Sequence, residues 1–142
     1  MPLQVEIVTP DRRAYQGSAD GVTLPTALGE VGILPGHIPL TAVISAGEVS
    51  VTLGGQVTRL AVDKGFVRVV SDKVSVVTEA AIDVAKINLA AAEAAETRAR
   101  QALEEAKGSR DPDPEGILRL EQQLRFVAIQ RMAKGRPGST AD

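Results

Sequence analysis

At 142 residues, the chain is long enough for one ordinary core, or for a small core with an appendage, but too short for two full domains. A net charge of −2 and a pI near 5.5 supply no basic field for nucleic acid. The lack of cysteine and a single histidine exclude disulfides, thiolate chemistry and the usual zinc-ligand sets.

The start, Met1-Pro2-Leu3-Gln4-Val5-Glu6, goes straight into alternation without a basic or apolar leader, so an unprocessed cytosolic product is expected. No run approaches the ~20 consecutive apolar residues that a membrane-spanning helix needs, and any membrane association is expected through a partner. Residues 1–80 hold fifteen of the seventeen valines, whereas residues 81–142 hold thirteen of the twenty alanines. The chain therefore changes from strand chemistry to helix chemistry near residue 81. Alternating runs at 3–7, 21–24, 48–53, 57–62, 66–70 and 74–77 each suit a half-buried strand. Gly54-Gly55, Asp63-Lys64-Gly65 and Ser71-Asp72-Lys73 mark tight turns between them, and short strands so connected predict antiparallel sheets folded as a sandwich or flattened barrel.

The segment Gly29 to Leu40 reads G-E-V-G-I-L-P-G-H-I-P-L. Pro35 and Pro39 each remove a backbone donor and fix φ, so a helix is excluded and a shaped loop between short strands is expected. Glu30 and His37 are its chemistry-bearing residues, as a contact presented outward or as an acid–base pair. Catalysis needs further players, and neither a second histidine nor a Gly-x-Ser-x-Gly turn is present. The glycines match neither a Walker A loop nor the dinucleotide fingerprint.

Asp83 is expected to cap a first helix, with Val84, Ile87, Ala91, Ala95, Ala99, Ala102 and Ala106 at spacings of three and four, ending at Gly108. Glu96 and Arg100 form an i, i+4 pair on it, and with Glu93, Arg98, Glu104 and Glu105 they read as a solvated face. Asp113 is expected to cap a second helix with Pro114 at its first position, running to about Lys134, with Ile117, Leu120, Leu124 and Val127 as its stripe. Gly135 and Pro137 are expected to stop it, and Gly138 to Asp142 to fray. So short a connection predicts an antiparallel hairpin. Its alanine stripe leaves two readings open, a hairpin lightly docked on the sandwich and one packed stably against it. Arg119, Arg125, Arg131 and Lys134, with Arg136, make residues 117–136 net positive, which suits an acidic protein partner.

This α+β order, an N-terminal antiparallel β-sandwich (1–81) followed by a C-terminal two-helix hairpin (82–142), resembles the epsilon subunit of the F-type ATP synthase. Residues 29–40 match that family's G-E-x-G-I-x-P-G-H-x-P-L at every specified position. Gly65-Phe66-Val67-Arg68-Val69 resembles its G-G-F-x-x-V strand, with Lys64 in place of the first glycine. The resemblance implies a non-catalytic rotor subunit, peripheral on the cytoplasmic face of the inner (plasma) membrane, that couples rotation of the membrane c-ring to ATP synthesis. It implies that the sandwich binds the gamma subunit and the c-ring, the latter through Glu30 and His37. The helices would meet the catalytic alpha and beta subunits and inhibit ATP hydrolysis, with the four basic residues as contacts. Some bacterial members bind regulatory ATP through I/L-D-x-x-R-A, which here implies Ile82, Asp83 and Lys86. Lysine stands where that pattern has arginine, and Ile87 where it has alanine, and lysine cannot supply a planar bidentate fork. A freestanding ligand-binding sandwich with a helical lid is the alternative, since fold alone never decides function.

Overall fold

The computed structural model describes residues 2–135; Arg136, Pro137 and the expected fraying of Gly138 to Asp142 lie outside the described residues. Ten strands come first: β1 (Leu3–Val8), β2 (Arg13–Ala19), β3 (Gly21–Thr26), β4 (Gly29–Ile33), β5 (Leu40–Ile44), β6 (Gly47–Leu53), β7 (Gln56–Val62), β8 (Gly65–Val70), β9 (Lys73–Thr78) and β10 (Ala81–Asp83). Two helices follow, α1 (Leu89–Lys107) and α2 (Pro114–Gly135). The strands run in the order β10-β7-β6-β3-β5-β8-β9-β1-β2, with β4 added on β3. They enclose an aliphatic core in which Leu3, Ile7, Leu24, Ile33, Ile44, Leu60, Val67 and Val76 are among the fully buried side chains.

Alternation builds this core. In β1, Leu3, Val5 and Ile7 point inward; in β8, Val67 and Val69 do so while Phe66, Arg68 and Val70 face out. Tight turns set the register. Gly54 and Gly55 take φ of 58° and 80° in the two-residue β6–β7 connection, the left-handed pair that matches strand twist. Ser71 and Asp72 do the same at β8–β9 with φ of 50° and 63° and no glycine. The backbone carbonyl of Asp72 accepts from Gln4 N–H at 2.8 Å, holding that turn from outside.

Several expectations are corrected. The pairing is mostly antiparallel, but β1 lies parallel to β9, because the first strand inserts between β9 and its own hairpin partner β2. Residues 29–40 are not all loop, since Gly29–Ile33 pairs with Thr26–Val22 as a strand. Glycine-rich β4 and the polar β2 carry too little alternation to be read as strands in isolation. Asp83 caps only a three-residue 3-10 turn, Val84–Lys86, and Ile87 then returns to extended backbone. Asn88 is the cap of α1, accepting from Ala91 N–H at 2.9 Å. Asp113 does cap α2, accepting from Glu115 N–H at 3.2 Å.

The buried line of α1 is Ala92, Glu96 and Leu103, with Ala91 exposed. The expected stripe is therefore one residue out of phase at its start, and the helix begins five residues later than an Asp83 cap implied. The helices pack on each other. Ala133, the one fully buried residue of α2, joins Ala61, Val84, Ile87 and Ala92 in a small second cluster, with Ile82 and Ile129 half-buried against it.

Candidate functional site

Beyond β4 the chain makes a sharp turn. Leu34 O accepts from His37 N–H at 3.1 Å across Pro35-Gly36, and Gly36 has φ of 86°. Proline at the second position and a left-handed glycine at the third are the signature of a type II turn. The turn is fastened to the β8–β9 turn, where Asp72 Oδ1 accepts from Gly36 N–H at 2.7 Å. His37 Nδ1 lies 2.6 Å from Ile38 O, which orients the ring when Nδ1 carries the proton. Leu34 and Ile38, 65% and 75% exposed, flank it with uncovered apolar surface.

Glu30 is not in this turn. It sits on β4 opposite Pro25, next to the β3–β4 connection, and its side chain makes no hydrogen bond or ion pair among the described residues. Three strand residues, roughly 10 Å of rise, separate it from Ile33, so Glu30 and His37 do not meet as an acid–base pair.

A second uncovered region lies on the outer face of the sandwich. The register places Val43 beside Phe66 and Phe66 beside Val77, with Val8 next in the row; Val43, Phe66 and Val77 are 62%, 56% and 40% exposed. A contiguous row of large apolar side chains is unusual on a solvated face and marks a contact surface. Leu28, fully exposed at the β3–β4 connection, stands near the Val43 end of the row, since Ala27 N–H donates to Val43 O at 3.1 Å.

The basic residues of α2 divide. Arg119 is exposed and without a partner among the described residues. Arg125 grips the β7–β8 turn, with Nε 3.0 Å from Asp63 Oδ1 and Nη2 3.1 Å from Asp63 Oδ2; Glu79 stands 4.0 Å away. Arg131 Nε binds Glu96 of α1 at 2.9 Å, and Lys134 Nζ reaches Val84 O at 3.3 Å. Glu96, expected on a solvated face, is thus buried against α2, though its 3.8 Å pair with Arg100 is present. On the sandwich, Arg59 pairs through both Nε and Nη2 with Glu48 and extends Nη2 to Ala133 O at 3.4 Å. Of the residues expected to contact nucleotide, Ile82 packs under the helices, Asp83 uses Oδ1 to cap Ala85 N–H at 2.9 Å, and Lys86 is exposed.

The architecture has counterparts among known proteins. Residues 2–84 match the family described as ATP synthase, Delta/Epsilon chain, beta-sandwich domain. The chain belongs to this family. Over 105 residues it is 43% identical to the ATP synthase epsilon chain of Halalkalibacterium halodurans, covering 74% of this chain and 79% of that one. Over 136 residues it is 41% identical to ATP synthase epsilon chain 2 of Syntrophotalea carbinolica, covering 96% of both. Among solved structures it is similar, with a TM-score of 0.65 at 24% identity, to a chain in the OSCP/F1/c-ring structure of the Euglena gracilis mitochondrial ATP synthase. That match covers 93% of this chain and 81% of the other, and at such identity it establishes the fold. The family match ends at residue 84, where the strands give way to helices, and the match to the Syntrophotalea carbinolica chain continues through the hairpin.

Sequence reading passed over Asp63, Glu79 and the outer apolar row. Asp63 looked like an ordinary turn residue, and its pairing with a guanidinium 62 positions later leaves no local signal. Phe66 and Val77 alternate correctly with the core residues of their strands, but which strands lie side by side is decided only by the sheet order. Glu96 was within reach, because Ala92, Glu96, Ala99 and Leu103 follow one another at helical spacing.

Proposed function

We propose that this chain is the epsilon subunit of a rotary ATP synthase, a non-catalytic subunit of the central stalk. It couples ion-driven rotation of the c-ring to ATP synthesis in the catalytic head. The observation that carries the reading is one well-filled sandwich with two separate uncovered apolar regions, Leu34/Ile38 on the Pro-braced turn and the Val43–Phe66–Val77 row on the outer sheet. A joint between two bodies needs two such surfaces. We assign the turn, closed by His37, with Glu30 along β4, to the polar loops of the c-ring, and the apolar row to the gamma subunit. Residues 1–81 form this joint, and residues 82–142 are the regulatory unit that inhibits ATP hydrolysis through the alpha and beta subunits, with Arg119, Arg125, Arg131 and Lys134 supplying the charge.

No helix among the described residues is long and apolar enough to cross a membrane, in keeping with attachment through the ring at the cytoplasmic face. The test is co-purification with gamma and the c-ring from the same source. Phe66→Asp should abolish capture of gamma, and Ile38→Asp capture of the ring, each leaving the other intact. A chain that associates with neither partner removes the rotor reading. Deleting residues 83–142 should raise hydrolysis by the reconstituted complex and leave synthesis largely unchanged; unchanged hydrolysis removes the inhibitory role.

A further inference from the structure

We propose that the outer face of β5, β8, β9 and β1 binds one protein partner in two strips: the apolar row and, beside it, a basic strip of Arg68 and Lys73 that receives carboxylates of that partner. The inference rests on the assignment of the apolar row to the gamma subunit and adds the chemistry that the facing surface must carry. α2 lies over β6 and β7, whereas Val43, Phe66, Arg68, Val70, Lys73 and Val77 are exposed on β5, β8 and β9. The register sets Thr41 beside Arg68 and Arg68 beside Ser75. This second row runs two residues, roughly 7 Å, along the strands from Val43, Phe66 and Val77. Two residues further on, Val70 stands beside Lys73. Arg68, Val70, Lys73 and Ser75 together line a shallow groove of about 240 Å3.

Neither cation is neutralised within the chain: Arg68 and Lys73 make no hydrogen bond or ion pair among the described residues. The acids beside them are engaged elsewhere. Glu6, beyond Ser75 on β1, pairs with Arg13 at 3.3 Å, and Asp72 Oδ1 accepts from Gly36 N–H at 2.7 Å. A basic residue on a sheet often keeps a free edge from pairing, but β8 lies between β5 and β9, and β9 between β8 and β1. Neither cation therefore guards an edge. Two like charges a diagonal step apart on neighbouring strands repel each other and do nothing for the sheet. They favour an anionic surface arriving from outside. Arg68, flanked by the hydroxyl residues Thr41 and Ser75, offers a planar fork to one carboxylate, and Lys73 adds a point charge beside it. Because this strip adjoins the apolar row, the partner must set a carboxylate about 7 Å from its own apolar ridge. A ridge flanked by basic residues is refused.

The test is the binding kinetics of the full-length chain on immobilised gamma subunit from the same source, at about 0.05 and about 0.5 M salt. Association of the unmodified chain should slow about fivefold across that range. At low salt Arg68→Gln should weaken binding about tenfold and Lys73→Gln about threefold, mainly through the association rate, and the double change should flatten the salt dependence. Arg68→Lys should keep the association rate and raise dissociation about threefold, since the charge stays and the fork is lost. Arg110→Gln, in the connection between α1 and α2, removes the same charge elsewhere and should change nothing. Arg68→Glu should lose binding, and among Asp→Lys and Glu→Lys variants across gamma at least one should restore it about tenfold. All the substituted side chains are exposed, so an unchanged urea midpoint confirms that each variant is folded. If Arg68→Gln and Lys73→Gln bind like the unmodified chain while Phe66→Asp does not bind, the basic strip is overturned and the rotor reading stands. If Phe66→Asp also binds gamma normally, the assignment of the apolar row falls with it. Dimerisation of the unmodified chain alone in sedimentation, lost in Phe66→Asp, gives the face to a second copy and overturns the proposal.

Discussion

The sandwich and the hairpin are stabilised by different physics. Seventeen buried residues, almost all branched aliphatics, fill the sandwich, whereas five buried residues, three of them alanine, make up the cluster beneath the helices. Two alanine methyls and part of one isoleucine, at about 0.8 kcal/mol per buried methylene, contribute roughly 3 kcal/mol where the hairpin meets the sandwich. Bidentate and single polar contacts supply the rest: Arg125 on Asp63, Arg59 on Ala133 O, Lys134 on Val84 O. Apolar area is insensitive to salt and to partner charge; an ion pair is sensitive to both. The chain thus divides a densely filled body and a lightly docked one between its two compositions.

Substitutions can break or sharpen that contrast. The largest effect is expected at Gly65, where an added Cβ would lie 1.9 Å from Val77 O and 2.8 Å from Thr78 Cα. Backbone on the facing strand cannot give way as a side chain can, so Gly65→Ala should destabilise the sandwich by about 3 kcal/mol, read as a lower urea midpoint. A change under about 1 kcal/mol would contradict the close packing of β8 on β9. Leu24→Ala, at a fully buried position, should match it at about 3 kcal/mol.

Ile129→Ala should act on the other body alone. It removes about 1 kcal/mol of half-buried contact, so helix amides should exchange faster while the urea midpoint of the strands stays put. If both moved together, the two bodies would unfold as one unit and the contrast would be lost. Gly36→Ala sharpens the reading of the turn. With φ of 86° and no atom within 4 Å of the added Cβ, the cost is conformational only, about 1 kcal/mol. Ring capture should weaken by roughly fivefold with the strand core unaffected. Smallest of all, Asn88→Ala should fray the first turn of α1 by about 1 kcal/mol or somewhat less, visible as faster exchange at Ala91 and nowhere in the sandwich. Were Asp83 the true cap of α1, Asn88→Ala would do nothing and Asp83→Ala would fray the helix instead.

Strand runs, the Gly54-Gly55 turn, the Asp113-Pro114 helix start and the Pro35-Gly36 turn were legible because each depends on residues within a few positions of one another. The β2, β4, β5 and β10 strands were not, because short, polar or glycine-rich segments become strands only when a neighbour supplies the other half of the ladder. Glu30 illustrates the limit within the candidate site. Its neighbours in sequence suggested one loop shared with His37, yet pairing of β4 with β3 extends the chain and carries the two residues apart.

The sequence by itself determined the change of composition at residue 81, the two-part architecture and the family motif of residues 29–40, since propensity, alternation and turn chemistry are local properties of the chain. Only the tertiary structure decided that β1 lies parallel beside β9, that Val43, Phe66 and Val77 join into one outer row, and that Arg125 finds Asp63. Those outcomes depend on which distant segments become neighbours, and burial and charge pairing gain their energy only after that choice has been made.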